Sequence, residues 1–167
     1  MKLTCWAIAA LALTGAVWPS ATAEETALDR YVAKPDPAYE YRLISTIEGK
    51  GSTTYILEMT SQQFLTEADV NRTLWKHWVI VAKPHRLKHD TSLMFIDGGS
   101  NGGDPPTKGD NIMAQVAVKT GSVTTVLKMV PNEPLQFAGE ERTRTEDSLI
   151  AYTWDKYLHT GDDRWPA

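Results

Sequence analysis

A glycine-rich segment is the one part of the sequence whose residue types and spacing suggest chemistry. Gly98-Gly99-Ser100-Asn101-Gly102 fits the G-x-S-x-G pattern of serine hydrolases and follows an apolar run. In that pattern the serine lies on a strained turn, and a helix begins immediately after it. Here Gly103-Asp104-Pro105-Pro106 follows, and the prolines are unsuited to the interior of such a helix. We therefore predict that Ser100 is not the nucleophile; the literal motif match is the weaker alternative.

The same context favours an oxyanion or substrate loop. Esterases carry glycine-rich loops after an early strand, and glycine lets backbone N–H groups point into the site. The carboxyl end of a strand is also where open α/β sheets bind ligands. We predict a loop of this kind, lined by Gly98, Gly99, Ser100, Asn101 and Gly102. A flexible turn that binds nothing is the open alternative.

The four histidines do not form a metal or catalytic pattern in the sequence. His77, His85, His89 and His159 lack the spacing of metal ligands, so we predict surface or interface histidines, no metal site and no cofactor. The tryptophans at 75, 78 and 154 are predicted to pack in or beside the core.

The N-terminus has the order of a secretory signal. Lys2 precedes an apolar run over residues 3–17, and Ala21-Thr22-Ala23 follows as a small-x-small cleavage site. The apolar run is about 15 residues, shorter than the ~20 that cross a bilayer. We predict a signal peptide over residues 1–23, cleavage after Ala23, and a periplasmic or secreted protein without a stable membrane anchor.

The composition after cleavage excludes several classes of function. Cys5 leaves with the signal, so the mature chain has no disulfide and no thiol nucleophile. It keeps 16 basic and 21 acidic residues, a net charge of about −5 without a basic cluster. Nucleic acid and anionic membrane surfaces are therefore not expected as partners. A small molecule or peptide is the expected substrate class, with its identity open.

The elements that must position the glycine-rich segment are mainly strands in the first half of the chain and alternating strands and helices in the second half. A short helix over residues 27–32 is predicted first, followed by a hairpin of strands 39–48 and 53–62 and a further strand at 77–83. Strand 92–96, helix 111–120, strand 123–130 and helix 146–159 come next. This order predicts an α/β fold with an antiparallel N-terminal hairpin.

Two details of this prediction concern burial. The continuously apolar strand 92–96 is predicted to be covered on both faces. The last helix is predicted to begin after Thr145, to end at Gly161, and to pack through one face made of Leu149, Ile150, Thr153, Trp154 and Leu158. Because only two strands have a parallel-type pattern, we expect residues 24–167 to be the N-terminal part of a larger domain. A small α+β domain is the alternative.

Several segments resemble the PhoPQ-activated pathogenicity-related proteins. They are Ala27-Leu28-Asp29-Arg30-Tyr31-Val32, Tyr39-Glu40-Tyr41, residues 55–62, Trp75-Lys76-His77-Trp78 and the glycine-rich segment. The resemblance implies an exported protein with an α/β-hydrolase-like sheet. It also implies that the nucleophile and the rest of the triad lie further along than this chain reaches, so this chain alone is expected to be inactive.

Two functions follow from the resemblance. The first is a hydrolase whose full-length form attacks an ester or amide, with residues 98–102 as its oxyanion or substrate loop. The second is a non-catalytic secreted signalling or binding protein that keeps the hydrolase shape. A continuation with an elbow serine, an aspartate and a histidine would favour the enzyme, and inert residues there would favour the binding protein.

Overall fold

A computed structural model describes residues 24–165. The predicted signal peptide, with Ala21 and Ala23, lies outside the described residues. Within residues 24–165, no helix combines the length and the apolar character needed to cross a membrane.

The chain folds into a five-stranded, mostly antiparallel open sheet with three helices, which confirms the α/β class. The strand order is β1-β2-β3-β5-β4, and only β4 and β5 run parallel. The strands are β1 (Glu40–Glu48), β2 (Ser52–Gln63), β3 (Leu74–Pro84), β4 (Leu93–Ile96) and β5 (Thr124–Leu127). The helices are α1 (Ala27–Ala33), α2 (Asn111–Thr120) and α3 (Glu146–Thr160).

The predicted N-terminal hairpin is confirmed. Strands β1 and β2 pair antiparallel around a short turn in which Gly51 has φ +148°, a backbone angle that favours glycine. Alternate residues of β2, including Thr54 and Ile56, are buried. Alternation along the sequence therefore indicated the strand correctly.

Helix α2 has the predicted bounds and covers one face of the sheet. Asp110 caps its N-terminus by accepting from the Met113 N–H at 2.8 Å, and Gly121 ends it with φ +77°. The buried Thr124 on β5 donates from Oγ1 to the carbonyl of Met113 at 2.9 Å. The helix contacts β2, β3 and β5.

The prediction that strand 92–96 is covered on both faces is wrong. All four residues of β4 are exposed, with Leu93 the least exposed at 48% and Ile96 the most exposed at 61%. The reason is that none of the three described helices contacts β4, which also lies at the edge of the sheet with β5 as its one neighbour. An apolar run shows that a strand avoids water, but it does not show which element covers it.

A second cluster of buried side chains lies beside the sheet and includes α3. Its members are Phe64, Val70, Leu135, Phe137, Leu149, Tyr152 and Trp165. The predicted packing face of α3 is partly wrong, since Ile150, Trp154 and Leu158 are 41%, 52% and 77% exposed. Tyr152, which the prediction left out, is buried and stacks on Phe137. The caps of α3 are confirmed at Thr145 and Gly161.

Candidate functional site

The glycine loop (residues 98–102) lies at the carboxyl ends of the two parallel strands. It follows β4 directly, and its first residues pair with the segment after β5. The Met129 N–H donates to the Gly98 carbonyl at 3.0 Å, and the Val130 N–H donates to the Asp97 carbonyl at 3.2 Å. The loop is therefore held at the sheet edge where α/β proteins bind ligands.

Asn101 anchors the C-terminal end of the glycine loop through hydrogen bonds. Its backbone N–H donates to the Glu133 carbonyl at 2.5 Å, and its Nδ2 donates to the carbonyls of Asn132 and Pro134 at 3.0 and 3.1 Å. Because both hydrogens of this amide are engaged, Asn101 holds the loop in shape. The glycine loop is an ordered part of the fold at this point.

The glycines leave space on the open side of the loop. A side chain placed on Gly98 or Gly99 would meet no heavy atom within 4 Å. Gly99 has φ +114° and Gly102 φ +77°, angles that side chains resist. Free space in front of the backbone is one requirement of a substrate or oxyanion loop.

Ser100 is exposed, and no helix begins behind it. The chain runs without regular structure from the glycine loop to Asn111, where α2 starts. Among residues 24–165, no histidine accepts a hydrogen bond from the Ser100 hydroxyl. These features support the prediction that Ser100 is not a nucleophile, and that prediction stays open to experiment.

An ion pair flanks the loop. Lys128 Nζ lies 2.5 Å from Asp97 Oδ2, and this contact lowers the pKa of the Asp97 carboxyl below its ordinary value. Both side chains are partly exposed. The pair joins the end of β4 to the end of β5, so it braces the loop. This pair could not be predicted from the sequence, because the two residues are 31 positions apart.

The prediction that His77 is a surface or interface histidine is wrong. It lies on β3, is 4% exposed, and contacts the backbone that supports the loop. Its Nδ1 lies 3.1 Å from the Lys128 carbonyl, and its Nε2 lies 2.9 Å from Ser61 Oγ. Burial lowers the pKa of the imidazole below its ordinary value of 6.5, so the ring is neutral at pH 7.

Ser61 was not singled out by its sequence. It is the extra residue of a β-bulge in β2, between Thr60 and Gln62, and is partly buried. Bulges re-aim side chains and recur beside active sites. The only sequence sign would have been a serine within an alternating strand, which is common.

The other histidines are exposed, as predicted. His85 lies 3.8 Å from Glu48, His159 lies 3.2 Å from Asp155, and His89 is at the surface. In the described part of the chain, no three histidine, cysteine, aspartate or glutamate residues come together as metal ligands would.

These features define an α/β protein with an ordered glycine loop at the carboxyl edge of its parallel strands. The chain belongs to the PhoPQ-activated pathogenicity-related protein family, whose family model matches residues 28–167. It is 39% identical over 144 residues to autocrine proliferation repressor protein A of Dictyostelium discoideum. That alignment covers 85% of this chain and 29% of the relative. No solved structure matches the chain.

Proposed function

We propose that this chain is the N-terminal portion of an exported, α/β-hydrolase-like protein that attacks an ester or amide. In this proposal the glycine loop lines the oxyanion or substrate site. The nucleophile that it serves belongs to a part of the protein outside this chain, which spans 29% of the length of its curated relative.

The observation that carries the proposal is the place of the loop in the fold. In α/β-hydrolases, one of the two oxyanion N–H groups comes from a loop between an early strand and the first large helix. Here the glycine loop lies between β4 and α2 and ends the edge strand of a parallel pair. The open space before Gly98 and Gly99 would admit a substrate carbonyl.

Export is part of this proposal and rests on the N-terminal sequence. Mass spectrometry of the exported protein is expected to find Glu24 as the first residue. A mature protein that still begins at Met1 would contradict it.

The decisive experiment uses the full-length protein with Gly99→Val and Ser100→Ala. Because Gly99 has φ +114°, valine would distort the loop, and loss of one aimed donor costs about 10²–10³ in turnover. Ser100→Ala is expected to leave labelling by a fluorophosphonate probe intact. The readouts are hydrolysis of an aryl ester and the extent of labelling.

Gly139→Val is the matched control for this test. Gly139 also has positive φ, at +78°, and also has free space around it, but it lies in another loop. Equal losses in Gly99→Val and Gly139→Val would mean that only stability was affected. Loss of labelling in Ser100→Ala, with Gly99→Val tolerated, would restore Ser100 as the nucleophile.

A second candidate function is a non-catalytic secreted signalling or binding protein on the same fold. The name of the Dictyostelium relative, an autocrine proliferation repressor, favours this candidate. The binding function would replace the hydrolase proposal if the full-length protein neither hydrolyses aryl esters nor reacts with fluorophosphonates. The glycine loop would then be a recognition edge.

A further inference from the structure

We infer that Ser61 and His77 form a nucleophile–base pair that accepts the acyl group of activated esters. This inference goes beyond the proposed function, because both residues lie within this chain and Ser61 opens onto a cleft that does not include the glycine loop.

The hydrogen bonds fix the imidazole in the form that a base requires. The Lys128 carbonyl can only accept, so the neutral ring carries its proton on Nδ1 and donates it over 3.1 Å. Nε2 is then unprotonated and accepts from the Ser61 hydroxyl over 2.9 Å. The carbonyl orients the ring as a carboxylate does in serine hydrolases.

The surroundings of the pair give the two groups different access. His77 is buried, and this burial lowers the pKa of its imidazole and keeps the ring neutral. Ser61 lines a cleft of about 680 Å³ between α1, the end of β2 and the segment that follows α3. The cleft is large enough for a small ester. The base, His77, is therefore buried, whereas its partner Ser61 lines a cleft that a ligand can enter.

The β-bulge sets Ser61 apart from its neighbours on β2. As the extra residue opposite β3, Ser61 is left out of the regular pairing, in which Thr60 pairs with Lys76 and Gln62 with Trp75. Its hydroxyl lies within 2.9 Å of His77 and no closer than 3.5 Å to the neighbouring Trp75 carbonyl. The hydroxyl thus has His77 as its close partner.

The reaction follows from this arrangement and balances without a cofactor. Ser61 Oγ attacks the ester carbonyl carbon while His77 Nε2 takes the hydroxyl proton. The ester C–O bond breaks, and the departing alcohol receives that proton from Nε2. Water then attacks the acyl carbon while its proton passes to Nε2. The bond between the acyl carbon and Ser61 Oγ breaks, Oγ takes the proton back from Nε2, and the free acid leaves. Aryl esters suit the site best, since their leaving groups depart most easily.

The test is to react the purified full chain with a fluorophosphonate probe and to locate the label by peptide mass spectrometry. The label is expected on Ser61. Ser61→Ala is expected to remove it, and His77→Gln to slow labelling by about 10²–10⁴, the usual contribution of a general base. Circular dichroism and thermal unfolding report whether each variant is folded.

Ser45→Ala serves as the matched control. Ser45 is also a partly buried serine beside a bulge, on β1. We expect the probe to label Ser45 no faster in any of the variants than in the wild-type chain. Absence of label on Ser61 in the folded wild-type chain would overturn the inference, as would labelling at an equal rate in folded His77→Gln. Neither result bears on the glycine loop, whose test depends on Gly99 in the full-length protein.

Discussion

At the scale of single residues, His77 joins two parts of the molecule. Its ring lies between the Ser61 hydroxyl on β2 and the Lys128 carbonyl at the end of β5. Lys128 in turn pairs with Asp97, which precedes the glycine loop. A neutral, buried imidazole is therefore part of the support of the loop, whatever chemistry the loop performs.

The lowered pKa of His77 predicts how stability depends on pH. Because the folded-state pKa lies below the ordinary 6.5, the unfolded chain binds a proton first as the pH falls. The stabilisation is complete above pH 6.5 and is lost as the pH falls through the folded pKa. Urea unfolding between pH 8 and 5 should show this decrease, at most about 1.4 kcal/mol per pH unit for one proton.

His77→Gln is the comparison for this experiment, because glutamine cannot titrate. The variant is expected to lose the decrease that begins near pH 6.5, while the carboxyls of Glu58 and Asp97, whose pKa values are lowered, act only at more acidic pH. An unchanged profile in the folded variant would mean that the pH dependence does not come from His77.

At the scale of elements, α3 shows how a helix finds its packing face. The buried side chains Leu149, Tyr152 and Thr153 follow the helical period, but the stripe is rotated from the predicted one. Tyr152 stacks on Phe137 with ring centroids 4.3 Å apart, and the Arg144 guanidinium lies 4.4 Å from its ring centroid. An aromatic and cationic contact thus sets the rotation of the helix.

Two substitutions on α3 test this assignment. Tyr152→Ala removes a buried ring and is expected to cost about 3–5 kcal/mol in the free energy of unfolding. Trp154→Ala, on the same helix, removes a side chain that is 52% exposed and should change stability by no more than about 0.5 kcal/mol. Chemical denaturation measures both. Equal costs would mean that the predicted face, with Trp154, was the right one.

At the scale of the whole molecule, β4 is an unprotected edge. Its four apolar residues are exposed, and one side of its backbone has no partner strand among the described residues. Natural sheets avoid such edges because they pair with other chains. We expect the chain without its signal peptide to self-associate as its concentration rises.

A charge at this edge should reduce the association. Met94→Lys places a cation on β4, where the side chain is 57% exposed, and is expected to shift sedimentation velocity toward the monomer. Ile112→Lys, at a residue 69% exposed on α2, is the control and should not do so. A wild-type chain that is monomeric at every concentration would contradict the prediction.

The elements that depend on local contacts could be predicted from the sequence. Alternation and a glycine turn located the β1–β2 hairpin, and the pattern from Asn111 to Gly121 located α2 with its bounds. The glycine loop was found because its composition and its place after an apolar run are both local features. The family resemblance likewise followed from short segments of sequence.

The contacts between distant parts of the chain could not be predicted from the sequence and depend on how the elements pack. The return of β5 between β3 and β4 leaves β4 at the sheet edge, and none of the described helices contacts it. The pairing of Ser61 with His77 depends on the register of β2 and β3 and on a single bulged residue. Burial of His77 and the anchoring of Asn101 depend on the segment after β5. Periodicity records what one element prefers, whereas these contacts require knowing which elements meet.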